Sequence, residues 1–195
     1  MTINGIEYKK PVLVFALESE AGAEFENFER IFTGIGKVNA TYSFLKYLQS
    51  NTPDLIINLG TAGGFGFEKG EVVCCTKFIQ RDMDVRELGF ELYQTPLSDD
   101  PVILDYGLKI NGLHEEICGT GDHFETAHST DAYQVVDMEA YALALVAQRE
   151  NIPFLCLKYI SDGADDAAAN DWTEEVIKAA KKLKEVLFKE PQMHE

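Results

Sequence analysis

The chain has 195 residues, 46% hydrophobic and 11% aromatic, enough to build the core of one domain spanning residues 1–195. Its 17 lysines and arginines face 33 aspartates and glutamates, a formal charge of −16, which repels polyanions and argues against a nucleic-acid partner. Much of the excess lies in stretches such as "ALESEAGAEFENFE" and "SDGADDAAANDWTEE" that read as solvated surface, so functional carboxylates are a small minority.

The first apolar run, "PVLVFAL" (11–17), is followed at once by "ESE" and lacks a small-residue cleavage site. It reads as a buried strand, neither a signal peptide nor a membrane span. "GKVNATYSFLKYLQS" follows as a helix with Val38, Tyr42, Leu45 and Leu48 on one face. Strands are expected at "DLIINLG" (54–60), "EVVCCTKFI" (71–79) and "EICGTG" (116–121). In "QVVDMEAYALALV" (134–146) an extended run passes into a helix that continues to 151, and a strand "PFLCLKYI" (153–160) comes next. The last helix, "WTEEVIKAAKKLKEVLF", carries Trp172, Val176, Ile177, Ala180, Leu183 and Leu187 at helical spacing behind the capping candidates Asn170 and Asp171. Alternating strands and helices predict an α/β layered fold with a largely parallel sheet.

Cys74, Cys75, Cys118 and Cys156 form no C-x-x-C pattern and read as small core residues of a reducing compartment, the cytoplasm. His114, His123, His128 and His194 make no zinc-binding pattern, so neither a metal nor another cofactor is expected. "TGIGK" (33–37) and "GTAGGFG" (60–66) fit neither glycine-rich phosphate motif. Each reads equally as a tight strand-to-helix turn or as a place where backbone N–H groups approach a ligand.

In α/β sheets ligands bind beyond the carboxyl ends of strands. Five such ends are chemically unusual: "FALESE", "NLGTAGGFG", "GTGDHF", "VVDMEA" and "KYISDGADD". Within "VVDMEA" helix electrostatics alone would account for the acids, Asp137 as an N-cap and Glu139 at the positive end of the dipole. Asp122 reads as a turn cap.

Taken in order, "GIGKVNA", "DLIINLGTAGG", "GTGDHF", "VVDMEA" and "KYISDGAD" resemble the purine and uridine phosphorylase superfamily, most closely the 5'-methylthioadenosine/S-adenosylhomocysteine nucleosidases, of which this would be a shortened member. The resemblance implies a three-layer α/β/α fold around a mixed, largely parallel central sheet, a homodimer, and hydrolysis of the N-ribosidic bond of a purine nucleoside with release of adenine. Breaking that bond leaves positive charge on the sugar and negative charge on the base. Carboxylates suit both needs: one, ionised, orients water at the anomeric carbon, and another, protonated, donates to the departing purine.

By the same resemblance Glu20, with Glu18 as second choice, partners the attacking water, and Thr61 stands near it. Glu139 is implied to hydrogen-bond the ribose hydroxyls while Met138 lies against the sugar. Asp162 becomes the proton donor, positioned by Ser161. Phe124 stacks on the base, the backbone of Glu125 meets the base edge, and Trp172 flanks the 5' side. "RDMDVRELGF" resembles a loop that reaches across a dimer to the 5' pocket, with Val85 and Leu88 at its apolar positions.

Two departures stand out: the short spacing between "ALESE" and "TGIGK", and the short span from "QTPLSDDP" to "EEICGTG", where the family carries a hairpin and an extra helix. A phosphorylase would call for arginine at the nucleophile, and Asn58 stands where phosphorylases of the superfamily tend to carry one. Water is therefore the expected nucleophile, with a phosphate-dependent phosphorylase or a non-catalytic nucleoside binder as alternatives.

Overall fold

In the computed structural model, residues 1–163 and 168–188 are described, with side chains for 1–163 and 175–188. A hairpin of β1 (Thr2–Ile3) and β2 (Ile6–Glu7) opens the chain. Its two-residue turn is Asn4-Gly5, both at positive φ, the turn chemistry that matches strand twist. Then come β3 (Pro11–Phe15), α1 (Glu18–Ala21), β4 (Arg30–Phe32), α2 (Lys37–Leu48), β5 (Leu55–Gly64) and β6 (Val72–Gln80). A 3₁₀ turn (Arg86–Leu88), β7 (Leu104–Asp105), β8 (His114–Thr120), β9 (Val135–Asp137), α3 (Ala140–Arg149), β10 (Phe154–Asp162) and α4 (Ala168–Leu187) complete it.

The central sheet is mixed. Strands β4, β3, β5 and β10 run parallel; β6 is antiparallel to β10, β8 and β9 run parallel to β6, and β9 closes back antiparallel onto β5. The long β5 permits this closure. It pairs with β3 over Leu55–Asn58, with β10 over Ile56–Gly63, and with β9 at Gly63–Gly64. "GTAGGFG" is therefore not a strand-to-helix turn, since its first five residues are the carboxyl half of β5. Glycine is required there: a Cβ on Gly64 would lie 2.8 Å from Ile160 Cδ1.

Alternation along the strands sends side chains to two cores. Val12, Val14, Ile56, Cys75, Cys118, Val135 and Cys156 pack with Ala40 and Phe44 of α2 and with α3. Leu13, Phe15, Leu55, Ile57, Leu59, Cys74 and Leu157 pack with Ala21 of α1 and with Ala179, Ala180, Leu183 and Leu187 of α4. All four cysteines are buried free thiols.

Two helix faces differ from expectation. On α2 the buried residues are Ala40 and Phe44, while Val38 is 78% exposed and Tyr42 and Leu45 are exposed too. The helix carries two apolar stripes, and the one with Ala40 and Phe44 packs into the core. On α4 Ile177 is exposed and Ala179 takes its place in the core. Because α4 begins at Ala168, Asn170 and Asp171 lie in its first turn instead of preceding it.

Candidate active site

A cavity of about 380 Å³ opens where the end of β3, the carboxyl half of β5 and the ends of β6, β8, β9 and β10 meet. The size suits a small ligand. Glu20, Glu139 and Asp162, distant in sequence, all line it, with Thr61, Phe124, Glu125, Met138 and Ser161. A common parallel edge is not the reason, since β9 runs antiparallel to β5. The closure of β9 onto Gly63–Gly64 carries Glu139 to the others.

Glu20 sits in the one-turn helix α1, buried, whereas Glu18 is exposed. Its Oε1 accepts from both the N–H and the hydroxyl of Thr61, at 2.9 Å each, and Oε2 accepts from the Leu17 N–H at 3.1 Å. Gly60 makes room, because a Cβ there would lie 3.0 Å from Glu20 Oε1. At the end of β10, Ser161 Oγ donates to Asp162 Oδ2 at 2.8 Å.

Glu139 occupies the N-cap position of α3 but makes no cap hydrogen bond. Its Oε1 instead accepts from the Gly36 N–H at 2.8 Å. Burial, and next the neighbouring Asp137 charge, push its carboxyl up to about 7. Asp137 does cap, accepting from the Ala140 N–H at 2.9 Å, yet its strongest partner is the buried Lys158 ammonium at 2.8 Å. Desolvation opposes that pair, but the mutual attraction holds Asp137 below its ordinary value and Lys158 well above. Asp122 accepts from the Lys37 N–H at 2.8 Å, so two free N–H groups at the start of α2 are taken by carboxylates. "TGIGK" is thus a strand-to-helix turn in which the N–H groups of Thr33, Gly34, Gly36 and Lys37 are bonded within the protein.

Glu125 turns its carboxylate away from solvent onto Arg81 Nη1 (3.1 Å), His128 Nδ1 (3.0 Å) and the Tyr133 hydroxyl (3.2 Å). Arg81 also donates to the His123 backbone carbonyl. Gly121 leaves room for the guanidinium, because a Cβ there would lie 3.0 Å from Arg81 Cζ. Arg81 and His123 line the cavity, and neither stood out in the sequence. The signal available for Arg81 was a charge at the end of an apolar strand, and for Lys158 a lone charge inside one, which must find a counter-charge.

Other positions fall elsewhere. Asn58 is buried in β5, donating to the Val14 carbonyl at 3.1 Å, and does not reach the cavity, so it says nothing about the nucleophile. Val85 is half-buried and Leu88 is 72% exposed in the loop after β6, outside the cavity of their own chain. The Trp172 side chain lies outside the described residues. Among the described residues no group of three metal-ligating side chains converges.

The family model described as the phosphorylase superfamily matches residues 31–111 and 117–189. A 5'-methylthioadenosine/S-adenosylhomocysteine nucleosidase of Haemophilus influenzae is 33% identical over 171 residues, covering 76% of this chain and 74% of its own. The chain belongs to this nucleosidase family within the phosphorylase superfamily. A crystal structure of the family's enzyme from Neisseria meningitidis, in complex with methylthio-immucillin-A, superposes with a TM-score of 0.77 at 25% identity, covering 92% of this chain and 97% of that one. Futalosine hydrolase of Helicobacter pylori shares the fold, with a TM-score of 0.82 at 19% identity over 92% of this chain and 95% of that one.

Proposed function

We propose that the protein is a phosphate-independent nucleosidase that hydrolyses the N-ribosidic bond of 5'-methylthioadenosine or S-adenosylhomocysteine and releases adenine. One observation carries the choice of water over phosphate: among the described residues, the cavity is lined by Glu20, Asp137, Glu139 and Asp162, and its lining cation, Arg81, is committed to Glu125. Phosphate beside Glu20 would meet repulsion without a free guanidinium. A cationic sugar would meet the opposite field.

In this reading Glu20, braced by Thr61, orients the water at the anomeric carbon. Glu139 accepts from the ribose hydroxyls, Met138 covers the sugar, and Phe124 stacks on the base beside the Glu125 backbone. Asp162, oriented by Ser161, protonates the leaving purine, and Trp172 flanks the 5' substituent. A non-catalytic binder would not need both Glu20 and Asp162. We further take the chain to be one three-layer domain of a cytoplasmic homodimer, in which Val85 and Leu88 complete the partner's 5' pocket. The exposed apolar face of Ile35, Val38, Tyr42 and Leu45 supports the dimer.

Turnover in ¹⁸O-labelled water tests the nucleophile. The label should appear on the anomeric hydroxyl of the freed sugar, and a sugar 1-phosphate as product would refute it.

A further inference from the structure

Lys158 is outside the cavity lining but ion-paired to Asp137, which lines it, and has no part in the chemistry above. All nine residues of its strand, β10, are buried, and a charge there is costly unless it is paired. Its ammonium crosses to Asp137 of β9, which is not adjacent to β10 in the sheet, because β5 runs between them.

Asp137 anchors more than the lysine. Thr120 Oγ1 donates to its Oδ1 at 2.6 Å, its Oδ2 accepts from the Ala140 N–H, and Thr120 Oγ1 in turn accepts from the Tyr141 N–H at 2.9 Å. Met138 and Glu139 therefore form a two-residue arch clamped at both ends, by Asp137 on one side and by Ala140 and Tyr141 on the other. From the arch the Glu139 carboxylate reaches the Gly36 N–H. Lys158 belongs to the same strand as Ser161 and Asp162, so one side chain ties the segment that presents Asp162 to the segment that presents Glu139.

We propose that Lys158 is a positioning residue for the reaction, holding Asp137 so that the Met138–Glu139 arch delivers the Glu139 carboxylate to the sugar. An apolar side chain could fill the space, but it would strand the Asp137 charge. A stranded buried carboxylate protonates or turns away, and the arch loses its brace. The inference rests on the nucleosidase reading, because it acts through Glu139 on a ribose.

A kinetic double-mutant cycle between Lys158 and Glu139 tests it, with thermal unfolding of each variant alongside. Lys158→Met is the direct probe. Should it fail to fold, Asp137→Asn/Lys158→Met removes both charges and leaves neither stranded. The expected loss in kcat/KM is about tenfold to a hundredfold, the scale of a small misplacement of a contacting group. In a Glu139→Gln background the same change should cost less than about twofold, because the contact it serves is already gone. Wild-type kcat/KM in the variant, or a loss that multiplies with that of Glu139→Gln, overturns the proposal. Wild-type protein that releases no base overturns the nucleosidase reading and this proposal together, whereas active wild type with an unaffected variant overturns this proposal alone.

Discussion

At the scale of single residues, Asp162 and Glu139 act on different halves of the substrate, and that difference is measurable. Asp162→Asn keeps a hydrogen bond to the base but cannot deliver a proton. It should slow a natural purine nucleoside by about 10²–10⁴-fold and a nucleoside with a good anionic leaving group far less. Glu139→Gln should slow both alike, and equal slowing by Asp162→Asn would reduce that residue to a structural part. Glu139 also predicts a pH dependence. With its carboxyl raised to about 7, the ionised form that accepts from ribose hydroxyls gains population through neutrality, so substrate affinity should climb through about pH 7 and flatten in Glu139→Gln. Stability of the free protein runs the other way. A native pKa raised above the ordinary 4.5 contributes stability that is complete below that pH and lost as pH rises to about 7. Chemical denaturation at pH 5 and pH 8 should show that loss in wild type and its absence in Glu139→Gln. Substrate affinity unchanged in Glu139→Gln at pH 8 would remove Glu139 from the sugar.

At the scale of elements, β5 and the arch after β9 decide where the acids meet. The "GTAGG" glycines let β5 serve three neighbours, and Gly64→Ala, whose Cβ would sit 2.8 Å from Ile160 Cδ1, should destabilise by about 1–3 kcal/mol, read by denaturant titration. Lys158→Met should cost about 3–5 kcal/mol by leaving Asp137 uncompensated, and pairing it with Asp137→Asn should recover much of that loss. The strands were legible because apolar runs bounded by glycines and acids can hardly be anything else. The acids Glu20, Glu139 and Asp162 were legible because each follows such a run within a motif. The exposed Val38 and Tyr42 were not, since a helix with two apolar stripes leaves its buried face open until a neighbour claims one. The closure of β9 onto β5 was hidden too, because strand direction leaves no trace in residue type. Arg81 and Lys158 were missed for a related reason: their meaning lies in partners, Glu125 and Asp137, that sequence distance conceals.

At the scale of the whole molecule, α2 exposes Val38, Tyr42 and Leu45 on a chain of strongly acidic composition, and Lys37 at its start pairs with Asp82 in the loop that continues to Val85 and Leu88. Light scattering should report a dimer, and Val38→Glu/Tyr42→Glu should yield monomers with a raised KM for nucleosides bearing a 5' thioether. A fully active monomer would leave the 5' pocket complete within one chain. The reaction itself is tested most directly by following base release from methylthioadenosine, S-adenosylhomocysteine, adenosine and inosine, with and without phosphate. Adenine release from the two thioether nucleosides at rates that ignore phosphate is the predicted result. Turnover that requires phosphate and yields a sugar 1-phosphate would contradict it.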